Sequence, residues 1–167
     1  GSLSCVLEEG VVVLTESRLN NAHCGDLSVL QTGAYEFSIQ TQPNNDAWIE
    51  KAGLLIQGIA SAHVCLVAWS GKMARVFRLD QHLRRSEGME AFATSAKSMA
   101  IADATHLAEE ALFVADAGMV RILNFTGTQK GSITFSETEG NPEFLDIKGR
   151  FLVVMTDKNV VKIMDVH

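Results

Sequence analysis

Short apolar runs recur along the chain and begin at Val11, Val64, Leu112 and Leu152. A polar or glycine-containing turn follows each run, and a further strand-like stretch of apolar and polar residues follows each turn. A continuous run of four or five apolar residues is typical of a strand buried on both faces, whereas alternation is typical of a half-buried strand. The pattern predicts four consecutive β-hairpins with turns near 15–17, 69–72, 116–118 and 156–159.

Further strand-like stretches fill the intervals and supply inner or outer strands. They are Leu27–Gln31, Phe37–Gln40, Leu54–Ala60, Ser98–Ala102, Ser132–Phe135 and Phe144–Ile147. The alanine-rich segment 91–110 competes as a helix, but the repeat places a strand-to-strand connection there. Four strands per unit at a spacing of roughly 40–50 residues is the period of propeller blades.

The sequence therefore predicts an all-β fold: a partial β-propeller of about four degenerate four-stranded blades. We expect the blades at approximately 3–40, 52–94, 95–136 and 142–167, with the last blade incomplete, and we interpret residues 1–2 as a cloning remnant.

The alternating strand that ends the chain, Val161–Asp165, resembles the Val-Lys-Ile-Trp-Asp ending of WD repeats. Residues 120–124 have the same form and residues 74–78 are a looser copy, while the glycine-histidine half of the WD signature is missing. A large apolar residue stands in place of the tryptophan in each copy, namely Phe77, Leu123 or Met164. We expect these three residues to occupy equivalent buried positions between adjacent blades.

The composition narrows the class of function. The chain has 14 basic and 20 acidic residues and a net charge of −6, whereas nucleic-acid binders normally show a basic excess. Its 3 cysteines are too few and too scattered for a disulfide framework and indicate a reducing compartment. The chain lacks an apolar run of the ~18 residues that a membrane-spanning helix needs.

Motifs that would carry chemistry are weak. His63 and Cys65 share one face of a strand, but a zinc site needs three or four ligands, and no partner pair has the required spacing. The segment 127–132 resembles a phosphate-binding loop in its glycines and lysine, but it lacks the Gly-Lys-Ser/Thr ending. We therefore expect no cofactor, no metal and no catalytic residue. The alternative is a propeller-type enzyme or small-ligand binder that uses the central channel, although the predicted inner strands are mostly apolar.

The segment 135–147, continued through Gly149 and 151–154, closely resembles a stretch of the intraflagellar transport protein 140 family, which are large subunits of intraflagellar transport complex A. Residues 30–32 and 67–77 resemble the same family in the same order. The resemblance implies the middle-to-late part of the second of two WD-type propellers. It also implies a non-enzymatic scaffold in retrograde ciliary transport and in the delivery of membrane proteins into cilia.

The resemblance further implies the partners and the place of action. The expected partners are other complex A subunits, ciliary cargo adaptors and the remaining blades of the same propeller, without nucleic acid and without a transmembrane segment. The expected location is the cytoplasm, at the cilium or flagellum and its base. Because the outer surfaces of a partial propeller are open, self-association of the isolated chain is a further expectation.

In WD-type propellers the connection between blades and the turn between the second and third strands lie on the same rim. In this chain those loops carry acidic residues, so one rim of the predicted propeller is acidic. Its carboxylates are Asp116, Glu137, Glu139, Glu143 and Asp157. One interpretation of this rim is solubility, and the other is a docking face for a basic partner.

Overall fold

The computed structural model describes residues 2–8, 11–17, 20–42, 45–80, 86–104 and 107–167, with the side chains described from residue 20 onward. Within these residues the regular structure consists of β-strands alone, and every strand pair is antiparallel. The all-β prediction is therefore confirmed.

The strands form an N-terminal hairpin and four sheets that follow one another in chain order. The hairpin consists of β1 (Ser2–Glu8) and β2 (Val11–Ser17). Sheet 1 contains β3 (Asn21–Cys24), β4 (Leu27–Gln31), β5 (Glu36–Thr41) and β6 (Ala47–Lys51). Sheet 2 contains β7 (Gly58–Ser61), β8 (Cys65–Trp69), β9 (Met73–Leu79), β10 (Ser86–Gly88) and β11 (Phe92–Ala93). Sheet 3 contains β12 (Met99–Ala102), β13 (Ala111–Asp116), β14 (Met119–Leu123) and β15 (Gln129–Thr134). Sheet 4 contains β16 (Pro142–Lys148), β17 (Phe151–Thr156) and β18 (Val161–Asp165).

Each sheet is a meander whose strands pair in sequence order, except that β11 pairs with β9. The four sheets are arranged as the blades of a four-bladed β-propeller. The first strands of consecutive sheets pack side by side: β3 against β7, β7 against β12, and β12 against β16. Within the described chain no comparable contact joins β16 to β3. Each sheet thus has a backward face toward the preceding sheet and a forward face toward the next sheet.

The core consists of three layers, one at each junction between consecutive sheets. At the first junction, the Phe37 ring of sheet 1 meets the Phe77 ring of sheet 2 edge to face, with centroids 5.1 Å apart. At the second junction, the forward face of sheet 2 packs against sheet 3, and Val76 and Leu112 are both buried there. At the third junction, Phe113 of sheet 3 belongs to the same core cluster as buried side chains of sheet 4. Alternation along the strands allows one sheet to contribute to two layers.

Three of the four predicted hairpin turns are confirmed, since β8 and β9, β13 and β14, and β17 and β18 are joined at the expected residues. The segment 91–110 contains β11 and β12 and no helix among its described residues, as predicted. The first predicted turn is wrong, because residues 15–17 belong to β2. The residues predicted as outer strand and neighbour, 27–31 and 37–40, are instead the two central strands of sheet 1.

The error in the first unit has a local cause. The turn that opens sheet 1 lies between Cys24 and Leu27, where Gly25 adopts a φ of +56° that favours glycine. This short turn interrupts the chain without any long polar stretch. A second difference concerns Leu54 and Ile56, which are buried in the connection before β7 rather than inside a strand. These apolar residues therefore belong to a buried loop. The loop is held in place by a hydrogen bond from the amide of Ile56 to the carbonyl of Ala34 at 2.8 Å.

Candidate protein-interaction site

Three loops meet on the rim that the sequence predicts to be acidic. The β13–β14 turn, the connection from sheet 3 to sheet 4 and the β17–β18 turn are held together by Asn141. Its side-chain oxygen accepts a hydrogen bond from the amide of Gly118 at 2.8 Å. Its own amide and its side-chain nitrogen donate to the two carboxylate oxygens of Asp157, at 2.8 and 3.1 Å. The structure therefore places the loops that carry the predicted carboxylates next to one another.

Most of the predicted rim carboxylates are engaged within the chain. Asp116 lies 3.0 Å from Nε of Arg121, and Glu143 lies 3.6 Å from Nζ of Lys97. Glu139 pairs with Lys162 at 2.5 Å. Glu137 differs, because it is exposed and its carboxylate takes part in no ion pair among the described residues.

The pKa shifts of the rim carboxylates agree with their contacts inside the chain. The hydrogen bond from Lys162, together with the amide and hydroxyl of Ser136, lowers the pKa of Glu139 to about 2. The backbone amide of Asn141 lowers the pKa of Asp157. Both carboxylates are therefore ionised at neutral pH and act as acceptors that hold the rim loops. Whether the rim also binds a basic partner stays a prediction.

The residues in the tryptophan position share one register. Phe77 lies opposite Leu66, Leu123 opposite Leu112, and Met164 opposite Leu152 in neighbouring strands. Each belongs to the layer between its sheet and the preceding one; Phe77 and Leu123 are buried, while Met164 is half-buried. Their contribution to stability stays a prediction.

A basic residue on the third strand of sheets 2, 3 and 4 reaches toward the preceding unit. Arg75 donates from Nη1 to the carbonyl of Ala52 at 3.4 Å, and Arg121 donates from Nη2 to the hydroxyl of Thr94 at 3.0 Å. Lys162 lies 5.0 Å from the centre of the Phe135 ring and pairs with Glu139. The sequence shows these basic residues at one repeated position, and the structure adds that they bridge consecutive units.

The forward face of sheet 4 is one of the open outer surfaces that the sequence predicts for a partial propeller, and the structure shows which residues form it. Its positions on three adjacent strands include three charged residues, Asp146, Lys148 and Asp165. The other six positions are apolar, namely Phe144, Phe151, Val153, Met155, Val161 and Ile163. Of these, Phe144, Val161 and Ile163 are 58%, 59% and 68% exposed. The available signal was the alternation of β18, which puts Val161 and Ile163 on one face and Lys162 on the other.

This face has the register of the junctions that are covered elsewhere. Val153 lies opposite Ile163, just as Val67 lies opposite Val76 in sheet 2. Val67 and Val76 are completely buried against sheet 3. Sheet 4 therefore presents a blade-packing surface that no sheet of the described chain covers, and apolar surfaces of this kind mark protein-interaction sites.

A cavity of about 740 Å³ lies between the first strands of the four sheets. Its polar lining includes His23, whose ring nitrogen lies 2.8 Å from the hydroxyl of Ser28, and the exposed Asp146 and Lys148. No group of three or more histidine, cysteine, aspartate or glutamate residues is placed to hold a metal ion in the part of the chain that the structure describes. No described helix is long and apolar enough to cross a membrane.

The two described thiols are not activated. Cys24 lies 3.5 Å from Nδ1 of His63, yet burial and the charge of Asp103 raise the pKa of Cys24. Burial likewise raises the pKa of Cys65. A raised pKa keeps a thiol protonated and poorly nucleophilic at neutral pH. The geometry around the cavity thus favours a structural use of these residues.

Comparison with known proteins assigns the chain to a family. A sequence model described as the IFT140 second beta-propeller matches residues 25–167. The chain belongs to the IFT140 second beta-propeller family. The match contains sheets 2 to 4 completely and all of sheet 1 after β3, so it includes every predicted rim and tryptophan-position residue.

Solved structures confirm the architecture. The computationally designed Ika4 protein is similar with a TM-score of 0.58 and 10% identity, over 92% of this chain and 94% of that chain. The beta-propeller domain of Myceliophteria thermophila Cps50 (Swd1) is similar with a TM-score of 0.62 and 11% identity, over 99% of this chain and 63% of that chain. At such low identity the likeness concerns the fold alone.

Proposed function

We propose that this member of the IFT140 second beta-propeller family is a non-catalytic scaffold segment of an intraflagellar transport complex A subunit. In this role it supports retrograde ciliary transport and the delivery of membrane proteins into cilia. The observation that carries the proposal is the apolar forward face of sheet 4, which keeps the register of an inter-blade junction while it lies open. Family membership supplies the cellular setting.

The proposed partners follow from the two kinds of surface. The forward face of sheet 4 suits another β-sheet, because the three covered junctions of this chain are all sheet-on-sheet contacts. The remaining blades of the same propeller are the proposed occupants. The acidic rim, which includes the exposed Glu137, is the proposed docking face for other complex A subunits and ciliary cargo adaptors. The proposed location is the cytoplasm of the cilium or flagellum and its base.

The experiment replaces Ile163 by aspartate in the subunit that carries this chain, in ciliated cells lacking the wild-type copy. A charge on the open face blocks sheet-on-sheet packing, so we expect loss of complex A assembly and accumulation of transport material at ciliary tips. The matched control is Ser132→Asp, which adds the same charge at an exposed strand position of sheet 3. Normal assembly and retrograde transport in the Ile163→Asp cells would contradict the proposal.

A separate experiment tests whether the acidic rim is a docking face. Glu137→Lys reverses an exposed rim carboxylate that takes part in no ion pair within the described residues, and we expect weaker capture of complex A subunits with an unchanged fold. Its control is Glu87→Lys, an exposed carboxylate on β10. Equal capture by both variants would assign the rim to solubility.

A further inference from the structure

The connection from sheet 3 to sheet 4 carries a hydroxyl group in an acidic stretch of sequence. Ser136 follows the end of β15, and Glu137 and Glu139 occupy the first and third positions after it. No other serine or threonine of the 167 residues has an acidic residue at both of these positions. Protein kinases select their substrates partly by such patterns of charge around the acceptor hydroxyl. The pattern is typical of an acceptor for a kinase that prefers acidic substrates.

The structure places this hydroxyl at the surface. Ser136 is exposed and begins the turn 136–140, in which the amides of Glu139 and Gly140 donate to its carbonyl, both at 3.1 Å. Its hydroxyl oxygen accepts a hydrogen bond from the amide of Glu139 at 3.3 Å and lies 3.0 Å from the hydroxyl of Thr138. The acceptor atom therefore belongs to a single surface turn between two sheets, and segments of this kind are the ones that enzymes reach.

The most similar hydroxyl of the chain lies in a different setting. Thr134 also has an acidic residue, Glu137, at the third position after it, but a phenylalanine follows it directly. Thr134 belongs to β15, which is paired with β14. A strand has to separate from its neighbour before it can enter the cleft of a kinase, whereas a single turn opens at lower cost. Thr134 is therefore the matched comparison for Ser136.

An ion pair lies next to the acceptor. The Glu139 carboxylate accepts a hydrogen bond from the backbone amide of Ser136 at 2.9 Å and pairs with Lys162 of β18 at 2.5 Å. Lys158, from the β17–β18 turn, donates to the carbonyl of Glu137. The backbone of Ser136 is thus one hydrogen bond away from the ion pair that links this connection to sheet 4.

We propose that Ser136 is a phosphorylation site for an acidophilic serine/threonine kinase, and that its phosphorylation weakens the Glu139–Lys162 ion pair. The kinase transfers the γ-phosphoryl group of a nucleoside triphosphate to Oγ of Ser136. The new Oγ–P bond forms as the bond to the departing nucleoside diphosphate breaks, and the hydroxyl proton passes to the catalytic base of the kinase. The site goes beyond the proposed scaffold function and does not rest on it.

The effect on the ion pair follows from charge. A phosphoserine carries about −1.5 to −2 charges at pH 7. Since the Glu139 carboxylate is bonded to the amide of the same serine, the phosphate repels it and competes with it for Lys162. Lys158, which already contacts this turn, is a further partner for the phosphate. The modified turn therefore exchanges a carboxylate contact for phosphate contacts.

The first experiment treats the folded 167-residue chain with casein kinase II and MgATP and locates the phosphate by peptide mass spectrometry. We expect a single phosphate on Ser136 and no incorporation into Ser136→Ala. Removal of an acidic neighbour, by Glu139→Gln or separately by Glu137→Gln, should lower the initial rate about tenfold. The matched control, Thr134→Ala, should leave the rate unchanged.

The second experiment follows the ion pair by carboxyl NMR titration of the chain before and after phosphorylation. The pKa of Glu139 should rise by about one pH unit, because a neighbouring negative charge disfavours the ionised carboxylate. The carboxyl of Asp165, which accepts from Nε of Arg150 at 2.8 Å near the other end of β18, is the internal control and should move much less. Equal movement of both carboxyls, or no movement of Glu139, would refute the effect on the ion pair.

The third experiment uses the whole subunit, purified from ciliated cells. Trypsin releases residues 131–148 as one peptide, which contains Ser132, Thr134, Ser136 and Thr138, and fragmentation distinguishes these four hydroxyls. We expect the phosphorylated form of this peptide to carry its phosphate on Ser136 and to disappear after phosphatase treatment.

Three results would overturn the assignment of Ser136. They are phosphate transfer to another hydroxyl in its place, transfer only after the chain has been unfolded in urea, and absence of phosphate on Ser136 in the subunit from cells. The second result would show that the folded turn hides the hydroxyl. The Ile163→Asp and Glu137→Lys experiments measure assembly and capture rather than phosphate transfer, so the proposed function and this inference fail separately.

Discussion

Two faces of the molecule share one pattern and differ in environment. On the forward face of sheet 2, Val67 and Val76 lie opposite each other and are completely buried against sheet 3. On the forward face of sheet 4, Val153 and Ile163 lie opposite each other at the same register, and Ile163 is 68% exposed. An alternating strand therefore specifies a face that is suited to burial. Whether that face is covered depends on the position of its sheet among the four consecutive sheets.

The backward face of sheet 1, at the other end of the row of sheets, adds a second comparison. The backward face of sheet 1 carries Ser28 opposite Gln40, at the register where sheet 2 carries Leu66 opposite Phe77. The two outer surfaces of the described sheets therefore differ in composition. Sheet 4 presents six apolar residues, whereas sheet 1 presents polar residues together with the exposed Leu30 and Ile49. Self-association of the isolated chain stays a prediction, and a two-fold ring would have to join these unlike faces.

The largest expected effect separates the buried face from the open one. Val76→Asp places an unpaired carboxylate inside the second junction, so we expect loss of cooperative folding. Ile163→Asp occupies the equivalent position in sheet 4 and should change the free energy of unfolding by no more than about 0.5 kcal/mol. Urea denaturation followed by tryptophan fluorescence compares them. Unfolding of the isolated Ile163→Asp chain would show that the face is covered.

The next effect compares the tryptophan-position residues. Leu123→Ala removes a buried side chain between sheets 2 and 3 and should cost about 2–5 kcal/mol. Met164→Ala removes a half-buried side chain in sheet 4 and should cost about 1–2 kcal/mol. Thermal and urea denaturation measure both. Equal costs would mean that sheet 4 is packed as tightly as the interior sheets.

A smaller effect concerns ion pairs. Arg78 reaches from sheet 2 to Glu110 with both Nη atoms and lies 4.8 Å from the centre of the Phe125 ring. Because the pair is partly exposed, Arg78→Ala should cost about 1 kcal/mol. Lys148→Ala breaks a 3.7 Å pair with Asp146 that is largely exposed, and should cost about 0–0.5 kcal/mol. Denaturation at low and high salt separates charge from packing.

The smallest effect is a pH dependence at the third junction. Because the folded protein lowers the pKa of Glu139 from 4.5 to about 2, its stabilising contribution is present above pH 4.5 and is lost as the pH falls toward 2. Glu139→Gln should lower the melting temperature slightly at pH 6, and the difference from the wild type should shrink below pH 4.5. A difference that stays constant down to pH 2 would contradict the pairing with Lys162.

Much of the fold was predictable because it is local. The runs that begin at Val64, Leu112 and Leu152, each with its turn, predict the central hairpins of sheets 2, 3 and 4. The first unit failed, since Gly25 permits a turn that no long polar stretch announces. Gly58 shows a similar limit: a Cβ atom there would lie 2.1 Å from the Trp69 ring, and only the folded chain brings these residues together.

The sequence by itself determined the central strands of sheets 2 and 3, the last two strands of sheet 4, their alternating faces and the repeated basic residue on the third strands. The tertiary structure decided that Asn141 joins Asp157 to the turn at Gly118, and that most rim carboxylates are engaged inside the chain. It also decided which apolar faces are covered and left the face around Ile163 open. The reason is physical: alternation is set by neighbours along one strand, whereas burial depends on a sheet that arrives from a distant part of the chain.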